Sequence, residues 1–191
     1  MFDIETDRLL TPSRDNWIDL RITVAVGIDA QGTVHQFVFP PGDTDGQADP
    51  TVRMGEQLDL ADRIVAYNGR EFDFRVLENY FESGRVMSWL AKLVDPFEVI
   101  RATTGSWVKL DELLEANGLP TKSGTGVDAV QWWNNNEISR VIDYCHHDVV
   151  SLWALVTQFK VLRFPVKAWD NGQHRVVKWA RLRWHDYVAL N

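Results

Sequence analysis

The sequence predicts an α/β domain: a mixed β-sheet, an antiparallel meander plus parallel strands, flanked by α-helices. Two observations carry that prediction. β-rich segments come first along the chain, and helical and strand patterns then alternate, which suits a mixed sheet with helices packed on it. Hydrophobic residues make up 45% of the chain and nine residues are Trp, enough for a packed core and contrary to disorder. At 191 residues, one domain is the default and two would be cramped.

The elements follow in order. Phe2–Thr6 begins as a short strand, and Ile22–Ile28 is a β-rich run. Gln31-Gly32 is a turn signal, and Val34, Gln36 and Val38 continue the meander on its far side. Residues 40–50, with Pro40-Pro41-Gly42 and Asp49-Pro50, form a loop without hydrophobic periodicity. Residues 52–61 read as a helix, 64–67 as a short buried strand, and 72–81 as a helix with Phe74, Leu77 and Phe81 on one face. Residues 90–100 are apolar but ambiguous, with Asp95-Pro96 as an interruption. Leu110–Ala116 is a helix stopped by Asn117-Gly118, and residues 121–126 are a flexible loop. Residues 138–159 carry long helical periodicity through Val141, Tyr144, Asp148, Leu152 and Leu155. In the last 30 residues, Val176, Val177, Trp179, Leu182 and Trp184 fit either a strand pair or an amphipathic helix.

Bulk properties exclude several classes. The single cysteine, Cys145, allows no internal disulfide and no thiolate metal cluster, and fits a reducing compartment. No apolar run approaches a membrane span, and the chain begins in a strand-like segment without a basic or signal-type stretch. A cytoplasmic location is expected, or the host cytoplasm for a viral protein. The net charge of −7 is unevenly spread: residues 160–191 hold seven Lys or Arg and two acids, a balance of +5, so residues 1–159 carry −12.

Three segments carry the chemistry. Asp3 and Glu5 are two apart in a strand, so both carboxylates leave one face while Ile4 points into the core. At ~4 Å and an effective dielectric near ~20 their repulsion is on the order of 4 kcal/mol, and a divalent cation reverses its sign. Taken alone, Asp-x-Glu is common and describes a solvated edge strand. In Asn68-Gly69-Arg70-Glu71-Phe72-Asp73, Gly69 permits a tight turn and Asp73 falls in the first turn of the next helix, where the dipole favours an acid. In isolation Asp73 reads equally as a helix-start acid. Tyr144 and Asp148 are four apart on an inward-facing helix stripe, so the buried aspartate needs a partner. That partner is a metal ion or the tyrosine hydroxyl. His146 and His147 lie on other faces and read as surface or packing residues, as do Trp132 and Trp133 as packing residues.

Together these segments resemble the motifs of the DnaQ-like (DEDD) 3′–5′ exonucleases, a family with an RNase H-like fold. Asp-x-Glu sits within Phe2-Asp3-Ile4-Glu5-Thr6. The second segment matches Asn-x-x-x-Phe-Asp, and Tyr144-Cys145-His146-His147-Asp148 matches the Tyr-x-x-x-Asp of the tyrosine subgroup. The histidine subgroup places His five residues before the aspartate, where this chain has Asp143. The resemblance covers residues 1–159 and includes Leu110-Asp111-Glu112-Leu113-Leu114 with the glycine loop after it. It implies catalytic roles for Asp3, Glu5, Asp73, Tyr144 and Asp148. Asp3 would bridge two Mg2+ or Mn2+ ions, Glu5 and Asp148 would complete the first site, and Asp73 would hold the second through water. A tyrosine's ordinary pKa near ~10 makes it a poor base, so Tyr144 would orient the attacking water. Thr6, Asn68 and Phe72 would hold the terminal nucleotide. The implied partner is a nucleic acid with a single-stranded 3′ end, DNA favoured over RNA, with no membrane; the oligomeric state is open. Only Met1 and Phe2 precede Asp3, so the first strand is short for such a domain.

On this reading residues 1–159 are the exonuclease domain and 160–191 a basic extension packed on it. Arg163, Lys167, Arg175, Lys178, Arg181 and Arg183, interleaved with Trp169, Trp179 and Trp184, describe either a single-strand binding surface or an amphipathic element whose tryptophans complete the core. The rivals to an exonuclease are a structure-selective endonuclease on the same fold and a non-catalytic nucleic-acid-binding module. A self-repelling acid cluster facing phosphate argues against the last.

Overall fold

The computed structural model describes residues 1–39, 49–121, 124–170 and 173–187. β1 (Phe2–Thr6) pairs antiparallel with β2 (Ile22–Ile28), and β2 with β3 (Val34–Val38). The β2–β3 turn is closed by Asp29, whose carboxylate accepts the Gln31 and Thr33 amides at 2.9 and 2.8 Å, with Gly32 at φ +82°. Residues 40–48 of the expected loop lie outside the described residues. α1 (Pro50–Leu60) starts at Asp49, whose side chain accepts the Thr51 amide, with Pro50 at the first helical position.

β4 (Ile64–Val65) and β5 (Leu93–Val94) form a separate parallel pair, joined through α2 (Asp73–Leu77) and α3 (Ser83–Leu90). α4 (Pro96–Thr104) follows and ends at Gly105 in the left-handed conformation, φ +71°. Next come α5 (Leu110–Ala116), α6 (Gly126–Asn134) and the long α7 (Ile138–Gln158). Antiparallel and parallel strands with flanking helices are thus both present, as the sequence predicts.

Three differences have local causes. The helix expected over 72–81 stops at Leu77 and tightens, because the Asn79 and Tyr80 amides bond three residues back. Asn79 donates to the Trp17 carbonyl, and the Tyr80 hydroxyl accepts the Ile22 amide at 2.8 Å. α3 escapes a periodicity reading because it is only eight residues long, and its stripe is reduced to Val86 and Trp89, one turn apart. α6 escapes it because only Ala129 is buried; it begins at Gly126, capped by Thr125 and Asp128.

The last segment is a strand pair, not an amphipathic helix. β6 (Val161–Asp170) and β7 (Gln173–Arg183) form an antiparallel ribbon. Leu162, Phe164, Val166, Leu182 and Trp184 enter one buried cluster with Ile100, Leu113, Leu152 and Leu155. Asn117 holds the ribbon as a strand would, accepting the Arg163 amide at 2.9 Å and donating to its carbonyl at 2.8 Å. The Lys167 amide donates to Ser106 Oγ, and its ammonium pairs with Glu112 on α5. Trp184 is 1% exposed whereas Trp179 is 52% exposed. The side chains of Trp169 and Arg175 lie outside the described residues. Among the described residues no helix is long and apolar enough to cross a membrane.

The core role of this ribbon is testable. Phe164→Ala should cost ~3–5 kcal/mol in urea unfolding, and Trp179→Ala within about 1 kcal/mol of zero. Equal losses would contradict the inward orientation of Phe164.

Candidate active site

β1 alternates strictly: Phe2, Ile4 and Thr6 are buried, Asp3 and Glu5 partly exposed. Phe2 and Ile4 pack with Phe74, Leu77 and Trp89 on one side of the sheet. On the other side Asp3 pairs with Val26 and Glu5 with Val24, and this face meets Val141, Cys145 and Val149 of α7. The helix that carries Tyr144 and Asp148 is therefore laid across the two acids by ordinary apolar packing.

Cys145 lies among those acids. Its Sγ is 3.4 Å from Asp3 Oδ2 and 3.5 Å from the Asp3 carbonyl. The ligating atoms of Asp3, Glu5 and Cys145 lie within 4.8 Å of one another. Burial, then the charges of Asp3 and Glu5, push the thiol well above its usual range, and Asp148 adds to this. The thiol is thus a neutral, weak donor to Asp3 and not a thiolate.

Asp73, the first residue of α2, is 2% exposed. β1 is an edge strand, and the outward amide of Ile4 donates to Asp73 Oδ1 at 3.1 Å. Burial, followed by the charge of Asp3, pushes the Asp73 carboxyl well above the carboxylate range. Asp148 and Tyr144 are both buried on α7, one turn apart. The Tyr144 ring meets Trp132 edge-on, centroids 5.8 Å apart. Gly124 passes against both rings: a Cβ there would fall 2.9 Å from Trp132 Cη2 and 3.4 Å from Tyr144.

The Asn68–Asp73 turn departs from expectation in detail. The left-handed residue is Asn68, φ +62°, and Gly69 is required instead because a Cβ would sit 2.6 Å from Ala66 Cβ. Phe72 is half-buried with its ring 6.0 Å from that of Trp17. Thr6 is buried, and its hydroxyl donates to the Arg8 carbonyl at 2.9 Å. The fold therefore gathers Asp3, Glu5, Asp73 and Asp148 around the β1–α7 seam with Tyr144 on the same helix face. Phe72 immediately precedes Asp73, Asn68 opens the turn that leads to it and accepts the Phe72 amide at 3.1 Å, and Thr6 is engaged within its own strand end.

A family model for the RNase_H superfamily matches residues 1–160. The chain belongs to the RNase_H superfamily. Among solved structures it is similar to the family B DNA polymerase from the hyperthermophilic archaeon Pyrobaculum calidifontis, with a TM-score of 0.58 and 17% identity. That match covers 82% of this chain and 24% of the polymerase, so the chain spans about a quarter of its length. No curated protein sequence matches the chain.

RNase H-like nucleases generally use divalent metal ions, and the donors here fit such ions. Asp3 and Glu5, whose ligating atoms lie within 4.8 Å of each other and of Cys145, offer hard carboxylate oxygens, which suit magnesium and manganese.

Two residues of this site escape a sequence reading. Cys145 shares a helix face with Val141 and Asp148, and that spacing places it in the seam. Asp95 reads in sequence as an interruption, yet it is the N-cap of α4 with Pro96 next, a recognisable helix start. Its Oδ1 accepts the Phe97 amide and the Asn68 amide, both at 2.9 Å. It thereby pins the strained residue of the turn that delivers Asp73. Burial pushes the Asp95 carboxyl up to about 6, and its charge in turn bears on Asp73.

The sign of the pH dependence follows. A carboxyl raised in the folded state binds more protons there than when unfolded. Its contribution is present below the unfolded value near ~3.9 and is lost as pH rises through the folded one. Urea unfolding in chelator should show stability falling between pH ~4.5 and ~7, and Asp95→Asn should reduce that fall. An identical slope in the variant would show that Asp95 does not titrate in this window.

Proposed function

We propose that the chain is a 3′–5′ exonuclease of the tyrosine subgroup of DnaQ-like enzymes. It hydrolyses phosphodiester bonds at the 3′ end of DNA and releases nucleoside 5′-monophosphates. The reading is carried by Asp3 and Glu5 on the face of β1 that α7 covers, with Asp73 bonded to the Ile4 amide of the same strand and Tyr144 and Asp148 buried one turn apart on α7. Superfamily membership supports a nuclease, and the polymerase fold match supports DNA as substrate. Residues 1–159 form the nuclease domain on this reading and 160–191 its extension.

Asp3, Glu5, Asp73 and Asp148 would hold two magnesium or manganese ions. Bound there, such ions lower the pKa of water and offset charge on the leaving 3′ oxygen. The protein's own part is positional. Asp3 and Glu5 are fixed by the β1–β2 register, and Asp73 by the Ile4 amide. Tyr144, held by Trp132 and the close approach of Gly124, presents its hydroxyl to orient the attacking water. That water's oxygen bonds to phosphorus and gives up a proton as the bond from phosphorus to the 3′ oxygen breaks, and the released oxygen takes up a proton in exchange. Asn68 and Phe72, at the two ends of the turn that leads into Asp73, hold the terminal nucleotide, with Thr6 shaping the end of β1.

A 5′-labelled strand tests the reading directly. A ladder shortening from the 3′ end is expected; a single internal cut would make the chain an endonuclease, and a gel shift without cleavage a binding module. Asp3→Ala should lower the rate at least about a thousandfold, ~4 kcal/mol. The far-UV circular dichroism of the same variant should match that of the native chain, which separates lost chemistry from lost fold. More than a tenth of native activity in a clean preparation would remove Asp3 from the site.

Binding of the ions is also visible without turnover. Millimolar manganese should raise the melting temperature of the native chain, because a ligand bound only by the folded state stabilises it. Asp3→Ala should lose most of that rise. Equal melting temperatures with manganese and with chelator would count against a metal site.

A further inference from the structure

The β6–β7 ribbon has two unlike faces. Leu162, Phe164, Leu182 and, after them, Trp184 are buried against α5 and α7. The alternate positions include Val161 paired with Arg183 and Arg163 paired with Arg181; Trp179 is paired with Pro165, which is itself buried. Arg163, Trp179, Arg181 and Arg183 are all exposed.

This outward face is costly by the rules of sheets. Two arginines, Arg163 and Arg181, are paired directly across the ribbon, where like charges destabilise. Among the described residues none of Arg163, Arg181 and Arg183 is in an ion pair, although the first 159 residues carry −12. Trp179 is half exposed, with the Arg163 guanidinium 4.4 Å from its ring centroid. Packing explains Trp184 but not Trp179. The pattern is the one an unpaired strand requires, cations for phosphates and an open ring for a base.

We propose that the outer face of the β6–β7 ribbon is a binding track for single-stranded nucleic acid. Phosphates engage Arg163, Arg181 and Arg183, and a base stacks on Trp179. Leu155, which packs under the ribbon, is seven residues beyond Asp148 on α7, about 10 Å along the helix axis. The ribbon and the acid seam are thus fixed to one rigid element. Its role as a feed toward cleavage rests on the exonuclease reading; binding itself does not.

The test uses the full 191-residue chain and a fluorescein-labelled single-stranded DNA oligonucleotide in chelator, read by anisotropy at two salt concentrations. The triple variant R163Q/R181Q/R183Q should bind at least about tenfold more weakly, with a salt slope flatter by about 2, since each phosphate contact on a single strand contributes ~0.7. The charge-keeping variant R163K/R181K/R183K should retain the slope. Trp179→Ala should weaken binding about five- to a hundredfold while the slope stays near that of the native chain. Melting curves confirm that each variant is folded. Cleavage of a long strand by the triple variant should fall at sub-saturating concentration, with the rate at saturation unchanged.

Native affinity and slope in a folded triple variant would overturn the track, even if Asp3→Ala abolishes cleavage. Lost binding in the triple variant of a chain that never cleaves would uphold the track and remove the nuclease reading. Duplex DNA bound as tightly as the single strand, with Trp179→Ala silent, would also overturn it.

Discussion

An oxygen of Asp73 takes an amide that the edge of β1 leaves pointing outward, and through that bond the start of α2 is tied to the strand that bears Asp3 and Glu5. Everything else in the seam is arranged around this tie. β1 cannot shift by one residue without exchanging its core side chains for its acids. α7 then needs only an apolar stripe, Val141, Cys145 and Val149, to settle across Val24 and Val26. Behind the tie stands a second carboxylate: Asp95 anchors the Asn68 amide and so fixes the turn from which Asp73 emerges.

The arrangement sets local electrostatics against folding. Asp73 is buried next to Asp3, and burial raises the carboxyl of Asp95 as well. Native stability is a small residue of large terms, so such a cluster is sustained only where packing elsewhere exceeds what folding requires. Here Phe2, Ile4, Phe74, Leu77 and Trp89 on one side of β1, and Val24, Val26, Val141 and Val149 on the other, supply that surplus. The acids occupy the strand positions between them.

What was legible in the sequence was whatever depends on short-range periodicity. The alternation of β1, the long stripe of α7 and the Asn117-Gly118 stop of α5 are local rules, and each element formed where its rule places it. α3 and α6 were not legible, since at eight and nine residues each is too short for a stripe to repeat. The ribbon was ambiguous because a strand and a helix explain its spaced apolar residues equally until the Asn117 anchor is known. In the seam, the acids and Tyr144 announce themselves by spacing. Cys145, Asp95 and the ring of Trp132 do not, because their importance comes from what the fold sets beside them.

Cys145 is the chain's single thiol, and it is fully buried between α7 and the carbonyl and carboxylate of Asp3. No reagent can reach it while α7 rests on β1. Its alkylation therefore proceeds only through molecules in which the helix has lifted, and when closing is fast relative to alkylation the rate reports the open population. The molecule carries its own clock for the opening of the seam.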